Sequence, residues 1–264
     1  MKKFIHHILY SIHQFNFSIL FPLMLLLPLQ FMMVVQSVSG QQTENMSEVV
    51  KPKVDVTIVG TIGDDRIKGG TGDDTIDGNE GNDILYGGAG DDKIDGGDGD
   101  DEIYGEEGDD DLKGGAGDDK IDGGRGDDEL DGEEYDDILF GGAGDDKMYG
   151  GKGNDTLYGG PGNNELDGGD GGDILNGERG NDTIKGGKGD DKLYGGRGND
   201  ELDGGEGNDI LTGGKGADTF ICDSADTITD YNSAEGDKII GQCSVIDESF
   251  PESEPPINNF SINM

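Results

Sequence analysis

Between Gly60 and Ile221 an apolar side chain returns at every ninth position, and few other positions in the stretch are apolar. The series runs from Ile67 through Leu85, Met148 and Leu211 to Phe220. Ile, Leu, Met or Phe fills all eighteen places across 162 residues, with no insertion or deletion. A lone apolar residue between two polar neighbours reads as a short strand with one side chain pointing inward and the flanking two outward. Six residues of loop then lead to the next strand. Two nine-residue units therefore make one turn of 18 residues, and stacked turns pair each strand with its copies above and below. The predicted fold is all-β, a parallel β-roll (a solenoid) of about nine 18-residue turns, roughly 40 Å long at about 4.8 Å per turn. Val54 to Val59 (Val-Asp-Val-Thr-Ile-Val) alternates and is β-branched, so it predicts a strand that begins the stack. The segments Asp226–Tyr231 and Gly236–Ile240 predict one or two capping strands at the other end.

The polar positions are as regular as the apolar ones. Numbered so that the apolar residue is position 8, the unit reads G-G-x-G-x-D-x-U-x, as in Gly87-Gly88-Ala89-Gly90-Asp91-Asp92-Lys93-Ile94-Asp95. Position 1 is always Gly. Position 4 is Gly except at Tyr135, and position 6 is Asp except at Asn164. Glycines at positions 1, 2 and 4 permit backbone conformations closed to other residues and turn carbonyls toward a common point, where the position-6 Asp adds a carboxylate. Position 5 is Asp or Asn in sixteen units and reads as a turn former or a solvated acid, not as a ligand.

Composition says what such a chain lacks. Of 264 residues 52 are Gly, none is Trp, and the formal net charge is −40. The repeat alone holds 47 acidic and 14 basic residues, a charge of −33. One small apolar side chain per nine residues is too little to order so much backbone. A chain this acidic also repels itself, nucleic acid and anionic membranes. A bound divalent cation would remove the repulsion. Each of the two loop columns has eight gaps between turns, and sixteen divalent ions would carry +32. Oxygen ligands alone suit calcium better than magnesium, which dehydrates reluctantly.

The nonapeptide resembles the RTX (repeats-in-toxin, haemolysin-type) calcium-binding repeat, in eighteen consecutive copies. The resemblance implies a parallel β-roll that folds on binding calcium, with loop carbonyls and the position-6 carboxylates as ligands. By that match the ligands are Asp65, Asp74, Asp83, Asp92, Asp101, Asp110, Asp119, Asp128, Asp137, Asp146, Asp155, Asp173, Asp182, Asp191, Asp200, Asp209 and Asp218, and the cofactor is Ca2+, up to about sixteen ions. Two departures are expected to weaken it. Asn164 removes a charge from the two gaps it touches, and Tyr135 puts a side chain where a left-handed backbone is needed.

The flanks differ in kind. Residues 1–40 begin with Lys2 and Lys3, contain no acid, and are apolar over most of Phe17 to Val38. They read as a secretory signal peptide ending near Val38-Ser39-Gly40, or as an uncleaved signal anchor. Either places the repeat outside the cytoplasm, secreted or at the cell surface. Residues 41–53 read as a linker with an N-glycosylation acceptor at Asn45-Met46-Ser47, or as an unmodified spacer. The roll occupies 54–221 and its C-terminal cap 222–246. Residues 247–264, with Pro251, Pro255 and Pro256, read as a disordered tail. Cys222 and Cys243, the only cysteines, flank the cap strands and are expected to pair.

Separating odd from even units gives two unlike outer faces. Odd units carry Tyr86, Tyr104, Phe140, Tyr158 and Tyr194 at position 9 and Ile84, Ile138, Ile174 and Ile210 at position 7. Even units carry Asp77, Asp95, Asp131, Asp167 and Asp203 at position 9. The odd face is either a contact surface for a cell-surface, glycan or protein partner, or a set of stacked neighbours that stabilise the sheet. An enzyme is not expected. His6, His7 and His13, the only histidines, lie in the leader, and no G-x-S-x-G or H-E-x-x-H occurs.

Overall fold

A computed structural model describes residues 53–246. The expected leader, the linker apart from Lys53, the acceptor at Asn45 and the expected tail lie outside the described residues. Two 11-stranded parallel sheets face each other, one built from odd units and one from even units. Each repeat strand pairs with the strands 18 residues before and after it, as in Leu85↔Ile103 and Ile94↔Leu112. The chain alternates between the sheets at every strand, so the result is a solenoid of about ten turns. Nine strands of each sheet come from the repeat. Thr57–Val59 opens the even sheet, and Thr227–Ile228, Lys238–Gly241 and Ser244–Val245 close the two sheets.

The core is the periodic series itself. Every position-8 side chain from Leu85 to Phe220 is fully buried between the sheets, with Ile67 and Ile76 nearly so and Ile228 continuing the row. Cys222 and Cys243 are disulfide-bonded, with Cα atoms 5.7 Å apart. Such a loop closure stabilises the cap by about 3 kcal/mol.

The strands are longer than the apolar pattern suggests. Nearly all run six residues, for example Lys93–Asp98 and Ile138–Ala143, and so take in positions 1 to 3 of the following unit. Only positions 4 to 6 remain as loop. Glycine-rich positions carry no hydrophobic signal, yet their backbone amides still complete the ladder.

The glycines divide by role, which corrects one expectation. Positions 2 and 4 do take positive φ, as at Gly97 (108°) and Gly99 (135°). Position 1 does not; it is glycine for want of space. A Cβ at Gly96 would fall closer than 3.0 Å to both Asp101 Oδ2 of its own unit and the Gly114 carbonyl of the next turn. Four of the five non-glycine residues at position 2 accept the left-handed backbone: Asn79, Glu106, Glu133 and Glu178 have φ of 69° to 79°, Thr61 being the exception.

Tyr135 accepts it too, at φ 83°. The disturbance expected there falls on the loop and spares the strands. Pairing continues through Ile138↔Lys120 and Ile138↔Thr156, but the loop ladder shows two traces: Tyr135 N makes no bond to Lys152 O of the kind Gly126 N makes to Ala143 O, and the bond to the carbonyl before Tyr135 is stretched. Gly117 N donates to Glu134 O at 3.5 Å, against 2.9 Å for Gly108 N to Arg125 O. Tyr135 relieves the crowding by pointing into solvent, 59% exposed.

Candidate metal centre

Each loop turns sharply at positions 4 to 6, which buries the position-6 side chain and leaves position 5 outside. All seventeen position-6 aspartates, and Asn164 in their series, are buried, most to 1–2% exposure. Within each column they form a ladder. The backbone N–H of one donates to Oδ1 of its counterpart in the next turn: Asp83 to Asp101 at 2.7 Å, Asp92 to Asp110 at 2.7 Å, Asp119 to Asp137 at 2.8 Å. That fixes one carboxylate oxygen. The other, Oδ2, is buried without a hydrogen-bond partner in Asp83, Asp92, Asp101, Asp110, Asp119, Asp128, Asp137, Asp146, Asp155, Asp173, Asp182, Asp191, Asp200 and Asp209. Each points to the space beside a position-1 glycine, bounded on its other side by a carbonyl of the next turn in most units.

A buried, unpaired carboxylate is costly as an anion. Burial therefore pushes these carboxyls up: Asp137 to about 8, Asp92, Asp119, Asp128, Asp173, Asp182 and Asp209 to about 7, and Asp101, Asp110, Asp146, Asp155 and Asp200 to about 6. Asp83, Asp191 and Asp218 are raised for the same reason. The amide bond to Oδ1 pulls the other way throughout.

The donor set is oxygen only. Among the described residues no three His, Cys, Asp or Glu side chains converge in a way that could hold a metal ion by themselves. A cation here would be held by Oδ2 atoms together with main-chain carbonyls, hard ligands of the kind calcium takes. The carbonyls are at hand: those of positions 2 and 4 are directed along the stack toward the equivalent glycines of the next turn, as Asn79 O toward Gly97 and Gly81 O toward Gly99. The residues present thus fit a hard divalent cation.

Asn164 keeps the ladder and lacks the free oxygen. Its N–H donates to Asp182 Oδ1 at 2.8 Å and its Oδ1 accepts from Asp146 N at 3.0 Å. Its Nδ2 stands where the others have a free oxygen and donates to Gly160 O at 3.4 Å. A donor has replaced an acceptor.

Two residues that periodicity overlooks extend the ladders into the cap. Asp226 Oδ1 accepts from Asp209 N at 3.2 Å, and Asp237 Oδ1 from Asp218 N at 3.0 Å. The steps are 17 and 19 residues instead of 18. A signal was present, because Asp226-Thr227-Ile228 and Asp237-Lys238-Ile239 repeat the order acid, variable, apolar of positions 6 to 8. At these ends the second oxygen is taken by a local amide. Asp226 Oδ2 accepts from Asp223 N and Asp237 Oδ2 from Asn232 N, both at 2.7 Å. Asp65 at the other end accepts from Thr61 N at 2.6 Å and Thr61 Oγ1 at 2.8 Å. The terminal carboxylate Asp226 and the first one, Asp65, are satisfied without an ion.

Position 5 forms a separate, exposed ladder of opposite direction. There Oδ1 accepts from the N–H of the following turn, as Asp91 from Asp109 at 3.1 Å and Asp118 from Asp136 at 3.2 Å. On the outer faces, Tyr86 stacks on Tyr104 with ring centroids 4.9 Å apart, and Phe140 on Tyr158 at 5.2 Å. Arg66 lies over the Tyr86 ring at 4.9 Å. These four rings are half-buried by one another, whereas Ile138, Ile174, Ile210 and Tyr194 of the same face are exposed.

A family model of the RTX calcium-binding nonapeptide repeat matches residues 59–94, 77–112, 95–130, 131–166, 167–202 and 185–220. No curated protein matches the chain. The matched segments cover the roll without a break, and such repeats indicate calcium binding, which is the chemistry that the buried oxygens fit. The chain belongs to the RTX calcium-binding nonapeptide repeat family.

Proposed function

We propose that the protein is an extracellular calcium-binding protein whose roll folds as calcium enters between stacked loops, with no catalytic role. The row of buried, unpartnered Oδ2 atoms carries this reading. Closing the roll without a cation leaves each carboxylate either charged in a dry site or protonated near neutral pH. The position-6 aspartates from Asp65 to Asp218 are the proposed ligands, joined by loop carbonyls, in up to about sixteen gaps. The ion's part is to neutralise neighbouring carboxylates and join consecutive turns. Asp65 accepts two bonds from Thr61, so the first gap of its column is expected to bind more weakly than gaps between two unpartnered carboxylates. The export expected from residues 1–40 agrees with the family habit, since RTX repeat proteins are typically secreted, and calcium is abundant outside the cell. Circular dichroism of the purified chain tests the reading: little β-structure in chelator, and a cooperative gain with millimolar calcium. A spectrum indifferent to calcium would sink it.

A second reading, adhesion through the odd face, is favoured by the exposed Ile138, Ile174, Ile210 and Tyr194. Replacing Tyr86, Tyr104 and Tyr158 by Ser separates the cases. Lost attachment to a cell surface with unchanged calcium-induced folding supports adhesion. Lost stability shows that the stacked rings serve the sheet.

A further inference from the structure

The two loop columns carry their charges differently, in a way that neither the repeat nor the buried ladders demand. In the column formed by odd units, position 3 alternates in sign from Glu134 to Glu206 and pairs: Lys152 with Glu134 at 2.6 Å, Lys188 with Asp170 at 2.6 Å, as Arg125 does with Glu107 at 3.3 Å in the early turns of the other column. In the column formed by even units the same position carries Arg179, Arg197 and Lys215 on three consecutive turns. They are direct neighbours in the sheet, Arg179↔Arg197 and Arg197↔Lys215. All three are exposed, and among the described residues none of their side chains makes an ion pair or a hydrogen bond. Like charges stacked in adjacent strands are destabilising.

The acids of that column have withdrawn from the same turns. At position 5 it reads Asp73, Asp91, Asp109, Asp127 and Asp145, and then Asn163, Asn181, Asn199 and Ala217. One edge of the roll is therefore acidic over its first five turns and cationic over its last three. The whole repeat leans the same way. Residues 60–149 hold 32 acidic and 7 basic residues, a charge of −25, while residues 150–221 hold 15 and 7, a charge of −8.

We infer that two copies of the chain pair antiparallel along this edge, with Arg179, Arg197 and Lys215 of each set against the acidic run that includes Asp91 and Asp109 of the other. Both ladders have the same rise per turn, about 4.8 Å, so successive cations meet successive carboxylates without loss of register. A parallel pairing would set acid against acid. The antiparallel arrangement is two-fold symmetric and closes at two copies. The inference rests on the calcium-bound roll proposed above, because only there are the buried acids neutralised and the exposed ones left to choose a partner.

Sedimentation of the purified chain in millimolar calcium at low ionic strength is expected to give the mass of two chains. It should revert to one in about 0.5 M NaCl, where screening acts within about 5 Å. Arg179→Glu/Arg197→Glu and Asp91→Lys/Asp109→Lys are each expected to be monomeric, and an equal mixture to restore the mass of two, because both halves of the mixed interface are complementary. Should the Lys variant fail to fold, Asp91→Asn/Asp109→Asn keeps the Oδ1 acceptors and is expected to weaken association about tenfold. A folded monomer at all concentrations overturns the pairing alone, as does a dimer indifferent to Arg179→Glu/Arg197→Glu. A folded monomer that binds a linear sulfated polysaccharide through these arginines overturns it in favour of a polyanion. A chain that stays unfolded in calcium overturns both this inference and the calcium reading beneath it.

Discussion

Positions 5 and 6 of the repeat are usually the same residue, one peptide bond apart, and the roll treats them in opposite ways. Asp118 is exposed and Asp119 is buried to 2%. Both accept a backbone amide from a neighbouring turn through Oδ1, Asp118 from above and Asp119 from below. The difference lies in the second oxygen. That of Asp118 faces water. That of Asp119 faces a glycine and a carbonyl in a dry gap. Residue type therefore does not make the candidate ligand; burial of its unsatisfied oxygen does.

The strongest way to break the comparison is to neutralise three successive rungs of one ladder and not of the other. Asp101→Asn/Asp119→Asn/Asp137→Asn keeps every Oδ1 acceptor while placing Nδ2 in the gaps, as Asn164 does naturally. The expected result is loss of about four bound calcium ions at saturation, counted by equilibrium dialysis, with a calcium midpoint for folding raised roughly tenfold or more. The matching outer variant, Asp100→Asn/Asp118→Asn/Asp136→Asn, is expected to leave the ion count unchanged. Equal losses from both would show that charge, not burial, governs binding.

Acid sharpens the same contrast, because burial raises the pKa values along the inner ladder. An unfolded Asp titrates near 3.9, whereas Asp119 and Asp128 in the roll titrate at about 7. Between these values the folded state binds more protons than the unfolded one, so stability of the metal-free roll falls as pH rises through that window. In chelator, β-structure is expected to grow as pH is lowered from 8 toward 5. In calcium the dependence reverses. Protons compete for the same oxygens, and the calcium needed for half-folding should rise as pH falls below about 7. Circular dichroism across pH, with and without calcium, reads both signs.

A smaller effect is expected at Asn164→Asp. The ladder bonds to Asp146 and Asp182 need only an Oδ1 and an N–H, which Asp supplies equally. The change restores an acceptor at Oδ2 in two gaps. One or two further calcium ions should bind at saturation, and the metal-free form should lose a little stability, since one more carboxyl must be buried.

Much of this was legible in the residues. The apolar series fixed the strands, the 18-residue turn and the core, and Asp at position 6 singled out the groups that the fold buries. What stayed hidden has physical reasons. The extension of each strand through positions 1 to 3 leaves no hydrophobic mark, because glycine amides pair without side chains. The reason for glycine at position 1 is a distance across turns, to Asp Oδ2 and a carbonyl, which a linear motif does not contain. Asp226 and Asp237 broke the nine-residue count by one residue each way, so their place in the ladders appeared only once the cap strands were paired. Tyr135 was expected to disturb its column through a left-handed backbone that costs a side chain about 1–2 kcal/mol; the strands keep their register, and what the motif could not show is that the loss falls on two amide bonds of the loop ladder.

The smallest effect tests the outer ladder by itself. Asp118 Oδ1 accepts from Asp136 N at 3.2 Å in an exposed setting, where water competes for the same amide. Asp118→Asn keeps the acceptor and removes one of many repelling charges, so the stability of the calcium-loaded roll should shift by less than about 0.5 kcal/mol. Asp118→Ala removes the acceptor and should cost about 0.5–1.5 kcal/mol, the net worth of one such bond. Gly172 and Ala217 already occupy position 5, and the strands beside them pair in unbroken register. That is the tolerance expected of a bond water can replace. Thermal unfolding of the two variants in saturating calcium measures the difference. A loss at Asp118→Ala as large as that of Asp119→Asn would mean that the outer ladder carries the fold as much as the inner one does.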